Sequence, residues 1–280
     1  MQHCRICDST SLTHFQRGSV QLSRCQDCDS VQVINLPDER DLLEYYANDY
    51  ELVEQTNKEL KKSEIRRWSR LPEQLSLMHE IMNIISPPAV IADIGCDRGY
   101  FLDEARRYGY SVFGVEPSNH AQKYTQAINI PVFSSLQESS LRPDIVVMWH
   151  SLEHTTNPLI TLREIHSKLT DEGIVAIRVP DFGSLWSRLL QHRWVWFQPQ
   201  NHNFHFSHAS LDFLLRKAGF QPYFVRSQRP NSFITMRSTY IAQKAFTEYA
   251  QTSITIKDYL SPWYQFLTGI ELFAIAKKIQ

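Results

Sequence analysis

The 280-residue chain contains no run of about 18 apolar residues, so nothing in it reads as a membrane-spanning helix. Its first ten residues, MQHCRICDST, lack the apolar stretch that opens a secretory leader, and the expectation is a cytoplasmic protein. An excess of charge of either sign is also missing. Lys and Arg number 29 against 30 Asp and Glu, a formal net charge of −1. That balance weighs against a long polyanion as partner, because nucleic-acid binding leans on clustered cations. With 42% hydrophobic and 21% charged residues, the composition is that of a globular protein. Its length suits one ordinary domain with a small appendage. Cysteine is nearly absent beyond residue 28, and in a cytoplasmic setting the early ones are metal ligands or inert thiols rather than disulfides.

Those early cysteines have a pattern. Cys4 and Cys7 form a C-x2-C pair, seventeen residues intervene, and Cys25 and Cys28 form another. Each pair offers two thiolates that can converge on one tetrahedral zinc ion. Four unconnected thiols are the alternative. Four sulfur ligands leave no open coordination position, so the zinc is expected to be structural. A zinc-ribbon-like module over residues 1–36 has too little core to fold unaided, and the metal supplies the missing free energy.

Residues 37–88 are charged, rich in helix formers and nearly free of breakers until SPP at 86–88. They predict a helical connector, with Pro72 opening its last helix. Tyr45, Tyr46 and Tyr50 either pack on helix faces or face the main site. From Ala89 onward strand and helix signals alternate to the end of the chain. AVIADIG, SVFGVEP, IPVFSS, PDIVVMWH and GIVAIRVP read as strands, followed by FQPYFV and ELFAIAKK. Between them lie amphipathic helices, one capped by Asn157 with Pro158 at its first position, another capped by Ser207 and closed by Gly219. The pattern predicts an α/β domain over 89–280, a mostly parallel sheet with helices on both faces, whose ligands bind at the carboxyl ends of the strands.

The first of those strands ends in Asp93-Ile94-Gly95-Cys96-Asp97-Arg98-Gly99. Small residues at Gly95 and Gly99 let backbone approach a ligand. Glu116, 23 residues after Asp93 and at the end of the next strand, can accept the two hydroxyls of a ribose. Turn and acid together suggest an adenosine-type ligand, or simply a strand-turn-helix. A pyrophosphate site wants G-x-G-x-x-G opening into a helix, and here Asp97 replaces the middle glycine. An aspartate repels pyrophosphate and favours a ligand carrying positive charge. Aspartate also tolerates the left-handed backbone the turn needs.

At these residues the chain resembles the class I S-adenosylmethionine-dependent methyltransferases. Asp93 to Gly99 is similar to the family's first motif, and Glu116 to its ribose-binding acid. DIVVMWHSLEH (144–154) resembles the fourth-strand motif, LTDEGIVAIRVPDFGS (169–184) the fifth-strand stretch, and NHNFHFSHASLDFLLRKAGF (201–220) the segment that closes the pocket. The cysteine knuckles resemble those of the subgroup acting on sugars and nucleotide-sugars, which often reads GCNDG where this chain reads GCDRG. The resemblance implies a Rossmann-like fold with a seven-stranded sheet. It implies S-adenosylmethionine held by Asp93, Gly95, Asp97, Gly99, Glu116, Ser134, Ser135 and Trp149. The acceptor it implies is a small molecule, sugar or glycan.

Methyl transfer to a hydroxyl or an acidic carbon needs a base. The candidates are His150, Glu153 and His154 at and after the fourth strand. His154 reads equally well as a capping or lid residue; His150 reads rather as a cofactor-shell or packing residue, and Glu153 as an orienting group. Cys96 reads as a small packed residue. WVWFQPQNHNFHF (194–206) interleaves aromatics with His202 and His205 and suits either a ring-shaped acceptor or an ordinary hydrophobic lid. Two other functions compete with methylation of a small molecule. One is an RNA methyltransferase gripping its substrate through the zinc module and the basic run KELKKSEIRRWSR (58–70). The other is a non-catalytic adapter built on a degenerate cofactor fold.

Overall fold

The computed structural model describes residues 3–35, 40, 77–228 and 270–279. Most of the connector expected over 37–88, with Tyr45, Tyr46, Tyr50, Pro72 and the basic run, lies outside the described residues. Its last part, 77–82, is helical. No helix among the described residues is long and apolar enough to cross a membrane.

Two sheets organise the chain. The first comprises β1 (Leu12–Arg17), β2 (Val20–Cys25), β3 (Val31–Val33) and β9 (Phe204–His205), in the order β1-β2-β3-β9 and antiparallel throughout. The second is seven-stranded: β10 (Phe220–Gln228), β11 (Glu271–Lys278), β8 (Ile174–Pro180), β7 (Ile145–Trp149), β4 (Val90–Ile94), β5 (Ser111–Val115) and β6 (Val132–Phe133) in spatial order. From β6 to β8 the strands are parallel, and β11 runs antiparallel to both β8 and β10. The chain leaves β4 toward β5 and β6, then returns to place β7 on the other side of β4. That reversal opens a crevice at the carboxyl ends of β4 and β7.

Local chemistry accounts for the elements. Strands β7 and β8 are buried along their whole length, as their unbroken apolar runs require for a sheet covered on both faces. Helix α1 (Tyr100–Arg107) buries Phe101, Leu102 and Ala105, and α2 (Asn119–Ala127) starts at Ser118, whose side chain accepts from the Ala121 N–H. Helix α3 (Pro158–Lys168) is capped by Asn157 with proline in its first turn, and it buries Leu159, Leu162 and Ile165. A short α4 (Leu185–Leu190) follows β8, and α5 (His208–Lys217) starts with a reciprocal cap between Ser207 and Ser210. Two apolar cores, one on each face of the large sheet, hold the layers together. A third cluster of Leu22, Val31, Phe182 and Trp194 joins the small sheet to the segment after β8.

The small sheet is not self-contained. Its edge strand β9 comes from the far end of the chain, with Val31 opposite His205 and Gln32 opposite Phe204. Arg17 is driven into the same seam. Its guanidinium lies 4.5 Å from the Phe182 ring centroid and 4.8 Å from that of Phe197, and it donates to the Ser187 and Gln191 carbonyls. Ser207 donates to Asp29 across the junction. The cysteine-bearing end of the chain therefore sets the course of residues 182–207.

Candidate active site

On one side of the crevice three carboxylates converge. Asp93 ends β4, Glu116 follows β5, and Asp97 sits in the loop between β4 and α1. Asp93 is 3% exposed, and its Oδ1 has no hydrogen-bond partner. Burial, with repulsion from Glu116 and Asp97, pushes its pKa up to about 8. Glu116 is pushed up to about 7, again mainly by burial, although its oxygens accept the Ser118 N–H at 2.9 Å and the Asp97 N–H at 3.0 Å. Those two bonds pin the loop to the end of β5 and leave a carboxylate with lone pairs to spare. Thr125 Oγ1 adds a hydrogen bond to the Asp97 carbonyl at 3.0 Å.

The loop conformation explains its residue types. Gly95, Asp97 and Gly99 all have positive φ, at 78°, 49° and 73°. Aspartate tolerates that region, as the substitution for glycine requires. Packing demands the two glycines as well. A Cβ on Gly95 would stand 2.8 Å from Ser151 Cβ, and one on Gly99 would stand 2.9 Å from Thr125 Cγ2. The Gly95 contact also ties the loop after β4 to the loop after β7. Cys96 is buried beneath it. Ser134 follows β6, is exposed, and accepts from Gln122 Nε2 at 3.2 Å; Ser135 is half-buried beside it. Trp149, at the end of β7, stacks on Phe101 and carries the Arg178 guanidinium 4.9 Å from its ring.

On the other side lies a histidine cluster. His150 has φ +52 and is wedged between two buried carboxylates, Nδ1 at 3.3 Å from Glu153 and Nε2 at 3.5 Å from Glu271. Burial alone would lower its pKa, but the Glu271 and Glu153 charges win and raise it to about 9. Glu271 in turn is ion-paired with buried Arg178. Trp196 stacks on His150 at 4.8 Å. A carboxylate therefore stands near each ring nitrogen of His150. Glu153 is held ionised, near 2, because its partners His150, His154 and His202 outweigh the burial that would raise it. Its Oε2 is buried with no hydrogen-bond partner. His154 Nδ1 lies 2.8 Å from the Asn201 carbonyl oxygen, which can only accept, so Nδ1 carries a hydrogen. His202 Nδ1 likewise meets the Trp196 carbonyl at 3.1 Å, and burial lowers its pKa to about 4.

Sequence reading missed several members of this cluster. Arg178 is a charge inside an otherwise apolar strand, and that anomaly is the signal that could have marked it; Glu271, at the start of β11, carries no such signal. The meeting of His202 with His154 has no local signal, because 48 residues separate them.

The four cysteines also meet. Cys4 Sγ is 3.5 Å from Cys28 Sγ, Cys7 Sγ is 3.4 Å from Cys25 Sγ, and all four sulfurs lie within 4.8 Å of one another. Thiolates 2.3 Å from one zinc stand about 3.8 Å apart in a tetrahedron, so the donor set fits that ion. The two knuckles are built alike, as CRICDS and CQDCDS. In each the first cysteine N–H bonds the carbonyl of the final serine, at 2.9 Å, and the aspartate takes a left-handed turn.

Comparison with known proteins places this geometry. The model of a family described as "methyltransferase domain" matches residues 61–223. No curated protein matches the chain by sequence. Among solved structures, a chain from the Haloferax volcanii complex of the Trm112 methyltransferase activator superposes with a TM-score of 0.57 at 17% identity, over 87% of this chain and 98% of that one. A Thermotoga maritima SAM-dependent methyltransferase gives 0.53 at 18%, over 85% and 99%. Burkholderia thailandensis 1,6-didemethyltoxoflavin-N1-methyltransferase, solved with its substrate and S-adenosylhomocysteine, gives 0.53 at 16%, over 95% and 99%. These likenesses establish an α/β, Rossmann-like methyltransferase fold.

Proposed function

Starting from a chain that belongs to the methyltransferase-domain family, and is an S-adenosylmethionine-dependent methyltransferase, we propose that it methylates a small-molecule acceptor, a sugar, nucleotide-sugar or glycan end, at oxygen or carbon. The observation that carries the acceptor class is the wall beyond β7. There half-buried Trp196 lies flat on His150, and half-buried His154 is held through Nδ1 by the Asn201 carbonyl. A flat aromatic face beside hydrogen-bonding edges suits a ring that carries hydroxyls.

The cofactor residues are Asp93, Gly95, Asp97, Gly99, Glu116, Ser134, Ser135 and Trp149. The fit rests on Asp93, whose orphaned oxygen and raised pKa describe a crevice short of positive charge. S-adenosylmethionine supplies a sulfonium methyl that is already electrophilic and an ammonium that suits such a crevice. The protein's work is alignment and exclusion of water. His154, its tautomer set by the Asn201 carbonyl, is the group suited to accept a proton from the acceptor. His150 and Glu153 hold the loop that presents it. In this reading residues 1–36 bind zinc through Cys4, Cys7, Cys25 and Cys28 and steady the acceptor side through β9, residues 37–88 connect, and 89–280 transfer the methyl group.

The test is incubation with methyl-labelled cofactor and a panel of nucleotide-sugars, glycan extracts and RNA. Label on a sugar-containing acceptor is the expected result. Label in RNA alone would overturn the acceptor class, and failure to bind S-adenosylhomocysteine would return the chain to an adapter role.

A further inference from the structure

Glu153, His154 and His202 each offer a ligand atom within 4.8 Å of the other two, and Glu153 and His202 are buried. The buried Glu153 Oε2 lacks any hydrogen-bond partner, an expensive state for an ionised oxygen unless something cationic belongs beside it. Both histidines have Nδ1 committed to a backbone carbonyl, Asn201 for His154 and Trp196 for His202. An imidazole whose Nδ1–H is held by a carbonyl presents a more basic Nε2 in a fixed orientation, the usual outer support of a metal-ligating histidine. The other Glu153 oxygen is oriented by His150, itself braced by Glu271 and Arg178. The two loops that carry the histidines are locked together by Asn203 Nδ2, which donates to the His154 carbonyl at 2.8 Å. The set is therefore preorganised on every side.

We propose that Glu153, His154 and His202 form a second metal site, separate from the four cysteines, that binds one divalent transition-metal ion. Two imidazoles and one carboxylate favour zinc, manganese or ferrous iron over magnesium and calcium, which prefer oxygen ligands throughout. Two donors held at about 2.0–2.2 Å from one ion stand at most about 4.4 Å apart, so the three side chains draw together from a spacing of up to 4.8 Å as the ion binds. Three protein ligands leave positions open for water or an acceptor oxygen. An ion here takes up the His154 lone pair, so the free-base role given to His154 above applies to the metal-free protein. Ion binding itself does not rest on the proposed acceptor.

The experiment uses the full chain stripped by a mild chelator to one zinc per chain, the zinc held by its cysteines, with no methyl donor present. Mn²⁺ is added and the loss of its free electron-paramagnetic-resonance signal is followed. Manganese avoids thiolates, so the cysteines do not contribute. One Mn²⁺ per chain is expected. Glu153→Gln, nearly isosteric, and His202→Ala should each weaken binding by about tenfold or more. Zinc content should stay unchanged in both, with native circular dichroism as the check on folding. Absence of Mn²⁺ binding by the wild-type chain would overturn the site, and so would wild-type affinity in folded Glu153→Gln. Because no methyl donor or acceptor takes part, failure of the acceptor reading leaves the result untouched.

Discussion

Replacing Asp93 by Asn should make the cofactor-free protein more stable while damaging cofactor binding. Asp93 has an ordinary pKa of 3.8 in the unfolded chain and about 8 when folded, raised by burial and then by Glu116 and Asp97. Between those values the native state binds more protons than the unfolded one. Stability is therefore highest at acidic pH and falls as pH rises from about 4 to about 8. One proton held over that window corresponds to a slope of about 1.4 kcal/mol per pH unit, or about 4 kcal/mol accumulated by pH 7. Relaxation around a buried carboxylate reduces such figures, and a gain of about 2–4 kcal/mol for Asp93→Asn at pH 7 is the working expectation. In a chain of this size that raises Tm by about 5–10 °C. The assay is thermal or urea unfolding of both proteins, without cofactor, from pH 4.5 to 8.5. The difference between them should widen with pH. Cofactor binding should reverse the order, because the carboxylate that burdens the empty crevice faces the cationic ligand. Calorimetry in buffers of different ionisation enthalpy should then register proton release on binding to wild type near pH 7. Parallel stability profiles for the two proteins, or a less stable variant across the range, would refute the reasoning.

Cys25→Ser should release zinc and lower stability, with metal content as the readout; unchanged zinc would refute the four-cysteine site. Gly95→Ala should cost about 1–2 kcal/mol from its left-handed backbone alone, with more from the 2.8 Å approach to Ser151, and cofactor affinity should fall with it in a titration. Asp97→Lys should abolish binding of S-adenosylmethionine while leaving the fold intact by circular dichroism; retained affinity would remove Asp97 from the cofactor set. Arg17→Ala should destabilise by about 2–4 kcal/mol, because it opens a buried seam against Phe182 and Phe197 and removes the guanidinium's bonds to the Ser187 and Gln191 carbonyls. Its chemical-denaturation midpoint is the check.

Much of the architecture was legible because its signals are local. Unbroken apolar runs announced strands buried on both faces, and Asn157 with Pro158 announced the start of α3. The left-handed turn after β4 was legible down to Asp97, since few residues besides glycine turn left-handed without strain. The histidine cluster after β7 was not. His150 looked like a base from its place after an apolar strand. Its setting between two carboxylates comes partly from Glu271, 121 residues away in sequence. The glycines looked like concessions to a ligand, yet Gly95 and Gly99 also make room for Ser151 and Thr125.

The sequence by itself determined the alternation of strands and helices, the family, the acidic loop after the first strand of the large sheet and the cysteine quartet. Each of these depends on residues a few positions apart or on a fixed backbone preference. Tertiary structure alone decided that a strand from residues 204–205 completes the N-terminal sheet. It also brought His202 to Glu153 and His154, and it left Asp93 buried beside two other acids. Those outcomes depend on distance in space and on exclusion of water, and chain position encodes neither.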